Sequence, residues 1–287
     1  MVIRLLHSLW YDAPLLEDLT AVSKVSLRSL LDSLARPPRR YYVRVNAVKA
    51  DPEHVVRRLN ERGLDFRLDD EVSYALYVEV KGPYKVDLVG KTVVADERSA
   101  ESVYVGSDLY APGVLRAEGV RKGDEVTVVN PDGIPVGSGV ALMDWREVLS
   151  VKRGIAVKVE RSVYLAPKLG GLPEVSEGLI YSQNVPSMWA VILAEPKPGE
   201  FIVDMNAAPG GKASLAAILA GPTAKVIAFD RESKVEKLRR NLLNMGIDWV
   251  TVIGGDSRYA SSTLGVRESV DLVLIDPPCT NLGVIPK

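Results

Sequence analysis

Hydrophobic positions in the first thirty-five residues recur close to a helical repeat. Leu19, Val22, Val25, Leu27, Leu30, Leu31 and Leu34 mark one face, and Pro37-Pro38 ends the pattern. The spacing predicts helix through that stretch. A strand is predicted over 41–46, then a helix from Pro52 to Gly63, with Asp51 as N-cap and Pro52 at the first helical position. Further strands over 74–80 and near 86–89 make residues 1–90 a small α+β domain.

From Lys91 to about Glu160 the pattern shifts to short β-prone runs (92–95, 114–117, 125–129, 137–141, 155–159) separated by glycine, proline and aspartate. One short helix over 97–105 interrupts them. This is the pattern of a compact β-barrel-like module, given the bounds 91–165. The remainder, 166–287, alternates strand and helix: strands over 201–205, 225–230, 250–253 and 270–275, helices over 212–220 and 232–245, and a loop with a short helix over 257–268. Nearly continuous apolar strands between amphipathic helices predict a parallel sheet covered on both faces, an α/β Rossmann-like core. No internal repeat is present.

Composition narrows the class. The 287 residues suffice for two or three domains, and 47% apolar with 25% charged residues excludes a disordered or fibrous chain. The longest apolar stretches, 188–194 and 215–220, fall far short of the ~20 residues of a membrane span. No secretory leader is visible, and no membrane partner is expected. A single cysteine, Cys279, excludes an internal disulfide framework and points to a reducing interior, with the cytoplasm as the expected location. His7 and His54 have no cysteine partners at useful spacing, so no metal site is expected. One glutamine and two histidines in the whole chain fit a heat-adapted source, a thermophilic archaeon.

Net charge is only −1, yet ten Lys or Arg residues face four acidic ones between Lys24 and Arg62. Arg36, Arg39, Arg40, Arg44, Arg57 and Arg58 belong to this run, which can meet phosphates. A well-solvated face on a small domain explains the run equally well.

The chemistry concentrates in the last third. Asp204 and Met205 lead into Asn206, Ala207, Ala208, Pro209, Gly210, Gly211 and Lys212, where the first predicted strand turns into the first helix. The two glycines let backbone N–H groups approach a ligand at a helix N-terminus. The segment is neither a P-loop nor a GxGxxG fingerprint. A tight turn serving only the fold is the competing account. Asp230, ending the second strand beside Arg231, is placed to accept hydrogen bonds from ribose hydroxyls. Asp256, after Gly254-Gly255, is placed to accept from a base amino group. Each aspartate alone has the alternative of a helix cap; three such turns in succession are better explained by one ligand site. The fourth strand runs into Asp276-Pro277-Pro278-Cys279. Cysteine there, in place of an aromatic residue, points to chemistry at a ring carbon. Cytosine C5 becomes nucleophilic only after a thiolate adds to C6.

Taken together, the 204–212 turn, Asp230, Asp256 and residues 276–283 resemble the RNA cytosine-C5 methyltransferases of the Nop2/Sun (Fmu) family. Residues 178–184 with Ser187 resemble the family segment that precedes the sheet and frames the cofactor site. The 41–63 region resembles its amino-terminal RNA-binding part. The middle module resembles a PUA domain, with Gly106, Leu109, Pro112, Gly113 and Val114 matching its first RNA-contacting turn. The resemblance implies S-adenosylmethionine as cofactor, with Asn206–Lys212 around its amino-acid part, Asp230 on its ribose and Asp256 on its adenine. It implies that Asp276 contacts the target cytosine and that Cys279 assists product release, while the nucleophile lies in a Thr-Cys-Ser segment after a further strand. Asn206 stands where many relatives have cysteine. The 287 residues contain no such second cysteine, so the expectation is a core with an incomplete parallel sheet, continued by a further C-terminal segment. DNA cytosine-C5 methyltransferases use a Pro-Cys thiol as nucleophile, which leaves a role for Cys279 alone open. The expected substrate is tRNA, ahead of rRNA, with the basic run gripping backbone without base specificity. An RNA-binding protein that transfers nothing, and a methyltransferase acting on an amino group, are the competing readings.

Overall fold

The computed structural model describes residues 2–4, 10–265 and 269–278, with backbone alone considered for 2–4, 10 and 11. The chain divides into two compact units. One holds the described residues up to Arg39 together with Val80–Lys168; the other holds Arg40–Glu79 and the described residues from Leu169 onward. The 1–90 segment expected as a single region is therefore shared between them.

The first unit begins differently from the expected continuous helix. A two-stranded antiparallel hairpin, Val2–Arg4 with Trp10–Asp12, precedes two separate helices, Ala13–Val22 and Leu27–Leu34. Pro14 lies in the first turn, where its missing N–H costs nothing, so the helix starts there. The interruption comes from Ser26, whose side chain accepts from the Ser29 N–H at 3.2 Å and caps a new helix. Leu16 and Leu31 are buried together, so the shared apolar spacing survives the break.

The rest of this unit is a six-stranded sheet in the order Leu109–Tyr110, Ile155–Ser162, Pro135–Ala141, Glu125–Val129, Lys91–Ala95, Val114–Arg116. Its two outermost strands are joined by the short helical turn Ala111–Gly113. A sheet whose edges are three residues apart in the chain must curl on itself, which is the expected barrel. Alternating valines fill it: Val93, Val126, Val128 and Val157 are buried, each contributing about 1.5–3 kcal/mol. At Gly139 a Cβ would lie 1.9 Å from the Lys158 carbonyl oxygen, beside a register shift in the strand. The strand expected near 86–89 is absent. Val89 instead exchanges its backbone N–H and C=O with the Thr127 hydroxyl at 2.7 and 2.8 Å, so a side chain stands in for a ladder.

The second unit contains two sheets. The parallel one runs in the order Val250–Gly254, Lys225–Asp230, Phe201–Asp204, Leu272–Leu274. The first strand in the chain is thus central, and the order reverses between it and the last. Such a switch point opens a crevice at the carboxyl ends of the strands. One face packs against the helices Gly211–Ala220 and Glu232–Asn244 through Ile202, Leu215, Val226 and Leu238; Val203, Ile227 and Phe229 form a separate cluster with Ala260. Leu272–Leu274 is outermost among the described residues, and Val273 and Ile275 are exposed beside it.

The antiparallel sheet orders Ile180–Ser182, Arg40–Val45, Ala75–Glu79 and Arg67–Leu68. Helix Pro52–Glu61 packs on it through Val55 and Leu59, capped by Asp51 as expected. Strand Arg40–Val45 therefore pairs with chain that follows the whole barrel module. Asn46 is fully buried, and its Nδ2 donates to the Gly178 and Met245 carbonyls at 2.9 and 2.7 Å. No helix among the described residues is long and apolar enough to cross a membrane.

Candidate functional site: the crevice at the strand ends

The turn after Phe201–Asp204 is held by a chain of backbone donors. Met205 N–H donates to the Leu274 carbonyl (2.9 Å), Asn206 N–H to Asp204 Oδ1 (3.1 Å), Ala207 N–H to the Phe229 carbonyl (2.8 Å) and Ala208 N–H to Asp230 Oδ2 (2.9 Å). Most of these acceptors lie on neighbouring strands, so the turn is built by the sheet. The Ala208–Pro209 peptide is cis, and Asn241 donates to the Pro209 carbonyl at 2.8 Å. Gly210 has φ +118°, which side-chain-bearing residues rarely adopt. At Gly211 the reason is space: a Cβ would sit 3.2 Å from the Tyr181 ring.

Asp230 is buried. Its Oδ1 accepts from the Arg231 N–H at 2.8 Å and lies 3.4 Å from Lys234 Nζ. It anchors the turn as well as facing the crevice. Asp256 is held by Arg258, whose Nε and Nη2 both reach the carboxylate, and this pairing keeps its pKa below the usual range. Lys212 Nζ contacts Asp276 Oδ2 at 2.5 Å. Asp204 is 1% exposed, and burial pushes its pKa up to about 6. Its Oδ2 has no hydrogen-bond partner among the described residues.

A cavity of about 460 Å³ opens at the strand ends, a size suited to a small ligand. Asn206, Asp230, Arg231 and Asp256, four of the expected cofactor residues, line it, together with Met205, Glu232, Gly255, Ser257, Arg258 and Pro278. Ala207, Ala208, Pro209, Gly210, Gly211, Lys212 and Asp276 are not in its lining. Cys279 lies outside the described residues. Glu232 and Arg258 are additions that the sequence reading does not contain. Glu232 folds against glycine backbone, where a Gly254 Cβ would meet its Oε2 at 1.8 Å, and Arg258 curls back two residues onto Asp256. The lining suits S-adenosylmethionine: carboxylates beside two strand ends, Asp230 and Asp256, with the Asn206 amide and Arg231 beside them.

The expected RNA contacts divide. Arg36 and Arg39 are exposed, and Arg40 lies 4.0 Å from the Tyr77 ring centroid. Arg44 corrects the expectation. It is 0% exposed, donates to the Gly211 carbonyl (2.9 Å) and Ser214 Oγ (2.6 Å), and burial lowers its pKa to about 10. A side chain closed off from solvent meets no phosphate. Arg58 pairs with Glu174 and Glu177, and Arg62 with Glu174, so part of the basic run is neutralised. At the barrel turn Leu109 is 1% exposed within the core, a second correction. Gly106 and Gly113 are buried too, and a Gly113 Cβ would meet Ser99 Oγ at 2.0 Å. Pro112 and Tyr110 are the exposed members of that turn.

Comparison with known proteins agrees with this geometry. Residues 91–163 match the PUA domain, and residues 190–287 match the 16S rRNA methyltransferase RsmB/F family. The tRNA (cytosine(72)-C(5))-methyltransferase of Pyrococcus horikoshii is 37% identical over 269 residues, covering 92% of this chain and 68% of the relative. Human tRNA (cytosine(72)-C(5))-methyltransferase NSUN6 is 28% identical over 94% of this chain and 66% of its own length. The crystal structure of NSun6 from P. horikoshii with SFG, an S-adenosylmethionine analogue, superposes with a TM-score of 0.87 at 35% identity, covering 96% of this chain and 72% of that one. The chain thus spans about two thirds of the length of these relatives.

Proposed function

This chain belongs to the Nop2/Sun (RsmB/F) family of RNA cytosine-C5 methyltransferases and carries a PUA domain, and from that premise we propose that it serves methylation of cytosine C5 in tRNA. The observation that carries the reading is the crevice at the ends of the parallel strands, lined by Asn206, Asp230, Arg231 and Asp256. The names of the two relatives compared above support tRNA over rRNA. The domain roles proposed are a PUA module over 91–165 that grips RNA, and a methyltransferase core over 166–287 with an incomplete parallel sheet, to which residues 40–79 of the 1–90 region contribute. The cytoplasm is the proposed location.

S-adenosylmethionine supplies, when bound, an electrophilic methyl group. This chain's residues bind and orient. The Asn206–Lys212 turn surrounds the amino-acid part, Asp230 and Arg231 face the ribose, and Asp256, steadied by Arg258, faces the adenine. Lys212 holds the Asp276 carboxylate where a flipped cytosine would present its exocyclic amino group and ring nitrogen. Cys279 is assigned to release of the methylated base. Attack at C6 belongs to a second cysteine in the family resemblance, and a continuing C-terminal segment is the proposed source. Arg36, Arg39, Arg40, Gly106, Pro112 and Gly113 remain the proposed RNA-contacting positions, the glycines through backbone alone.

The test is methyl transfer to tRNA transcripts from labelled S-adenosylmethionine, with and without the corresponding C-terminal third of a relative added in trans. Methyl found at C5 by mass spectrometry supports the reading. Methyl found on N4 refutes it. RNA binding with no transfer under either condition favours the binding-only alternative.

A further inference from the structure

Three carboxylates line the crevice, those of Asp230, Glu232 and Asp256. Two of them are already engaged by the protein. Asp230 accepts backbone N–H groups on both oxygens, from Ala208 and Arg231, with Lys234 Nζ 3.4 Å away. Asp256 holds Arg258 with both of its own. Glu232 is exposed, and neither of its oxygens has a hydrogen-bond or ion-pair partner among the described residues. An acid in the first turn of a helix complements the helix dipole, but that does not explain where this carboxylate lies. It is folded over the end of the neighbouring strand, where a Cβ on Gly254 would overlap its Oε2. Gly254 is the register partner of Asp230, and the Gly255 N–H donates to the Asp230 carbonyl at 3.0 Å. The missing side chain at 254 thus makes room for a second carboxylate beside Asp230 in the wall of the crevice.

Two unengaged oxygens on one carboxylate suit two neighbouring donors. S-adenosylmethionine carries donors at three places: the adenine amino group, the ribose hydroxyls and the ammonium. Asp256 faces the first in the reading above, and the Asn206–Lys212 turn surrounds the last. The 2′ and 3′ hydroxyls sit on adjacent ribose carbons and on the same side of the ring, so a single carboxylate can accept from both. Asp230, tied to the turn through both oxygens, fixes the place; Glu232 brings the unengaged acceptors to it. We infer that Glu232 is a cofactor-binding residue whose carboxylate accepts hydrogen bonds from the ribose hydroxyls of S-adenosylmethionine. The inference rests on the cofactor reading above.

Calorimetric titration of the full chain tests it without RNA or turnover, using S-adenosylhomocysteine and its 2′,3′-dideoxyribose analogue. Glu232→Ala should weaken S-adenosylhomocysteine by about 10- to 100-fold, the worth of a hydrogen bond to a charged group, and leave the dideoxy analogue nearly unchanged. Equal losses on both ligands would assign Glu232 to packing or to another part of the cofactor and overturn the inference. Wild-type affinity in Glu232→Ala would overturn it too, as would a wild-type chain that binds the two ligands equally. If Glu232→Ala gives no cooperative melt, Glu232→Gln decides in its place. It matches glutamate in size and keeps one acceptor, so it should lose part of the preference for the hydroxylated ligand; an unchanged preference overturns the inference. A wild-type chain that binds neither ligand refutes the cofactor reading itself, and the assignment of Glu232 with it.

Discussion

Asp204 offers a measurable quantity in the absence of any ligand. Its carboxyl is buried at the end of the central strand, with one oxygen on the Asn206 N–H and the other without a partner among the described residues. Burial raises its pKa from 3.8 to about 6. A folded-state pKa above the unfolded one means that the acid form is favoured by folding. Its contribution is fully present below 3.8 and is lost as pH rises through 6. At pH 8 the ionised group costs the fold about 3 kcal/mol relative to a neutral one; near pH 4 the cost falls to about 0.5 kcal/mol. An asparagine side chain at this position would imitate the protonated acid, keeping an oxygen for the Asn206 N–H. The Asp204→Asn variant should therefore be more stable than wild type by about 2–3 kcal/mol at pH 8 and by under about 1 kcal/mol at pH 4. Urea unfolding followed by fluorescence reads this difference, because Trp189 and Trp249 lie against the same core. With a typical denaturant slope the midpoint moves upward by about 1 M at pH 8. A gain that is the same at both pH values, or a loss at pH 8, would refute the account of Asp204 as a buried charge that destabilises the fold.

Two further outcomes follow from packing. Asn46→Ala strands the Gly178 and Met245 carbonyls that its Nδ2 now satisfies, and should cost about 2–4 kcal/mol in urea unfolding of the same unit; a loss under about 0.5 kcal/mol would show that water or backbone shifts replace it. Gly139→Ala drives a methyl group to 1.9 Å from the Lys158 carbonyl oxygen, which is backbone and cannot swing aside. It should cost the barrel about 2–4 kcal/mol, read as an earlier melt of Trp145 fluorescence with the Trp189 and Trp249 transition unmoved.

Much of the crevice was legible because its residues are local to the strand ends that carry them. The parallel strands announced themselves as apolar runs; Asp230 ends one of them, and Asp256 follows the end of another, Val250–Gly254, by two residues. What escaped was long-range. Arg44 alternates with Val43 and Val45, a spacing that reads as an outward face, yet the helix starting at Gly211 covers that face. Nothing nearby in sequence signals a partner 167 positions away. Leu109 misleads for the opposite reason: a turn motif matched by resemblance does not say which of its members the barrel needs for its own core. Ser23 and Ser26, by contrast, did carry the signal for the broken amino-terminal helix, and the apolar repeat on either side outweighed it.

Pairing of Ile180–Ser182 with Arg40–Val45 sets an order of events during synthesis. Arg40–Val45 can pair with Ala75–Glu79 once both are made, but its other neighbour follows the whole barrel in the chain. The barrel, however, ties its own ends together: Lys81 and Leu165 exchange both backbone hydrogen bonds, at 3.1 and 2.8 Å. Once folded, it no longer counts as slack chain. The loop that must close between Glu79 and Ile180 shortens roughly sixfold, which lowers the closure entropy by about 1.5 kcal/mol. A barrel that folds before the strands around it pair would act as a clasp, shortening the reach of the late strand to its edge.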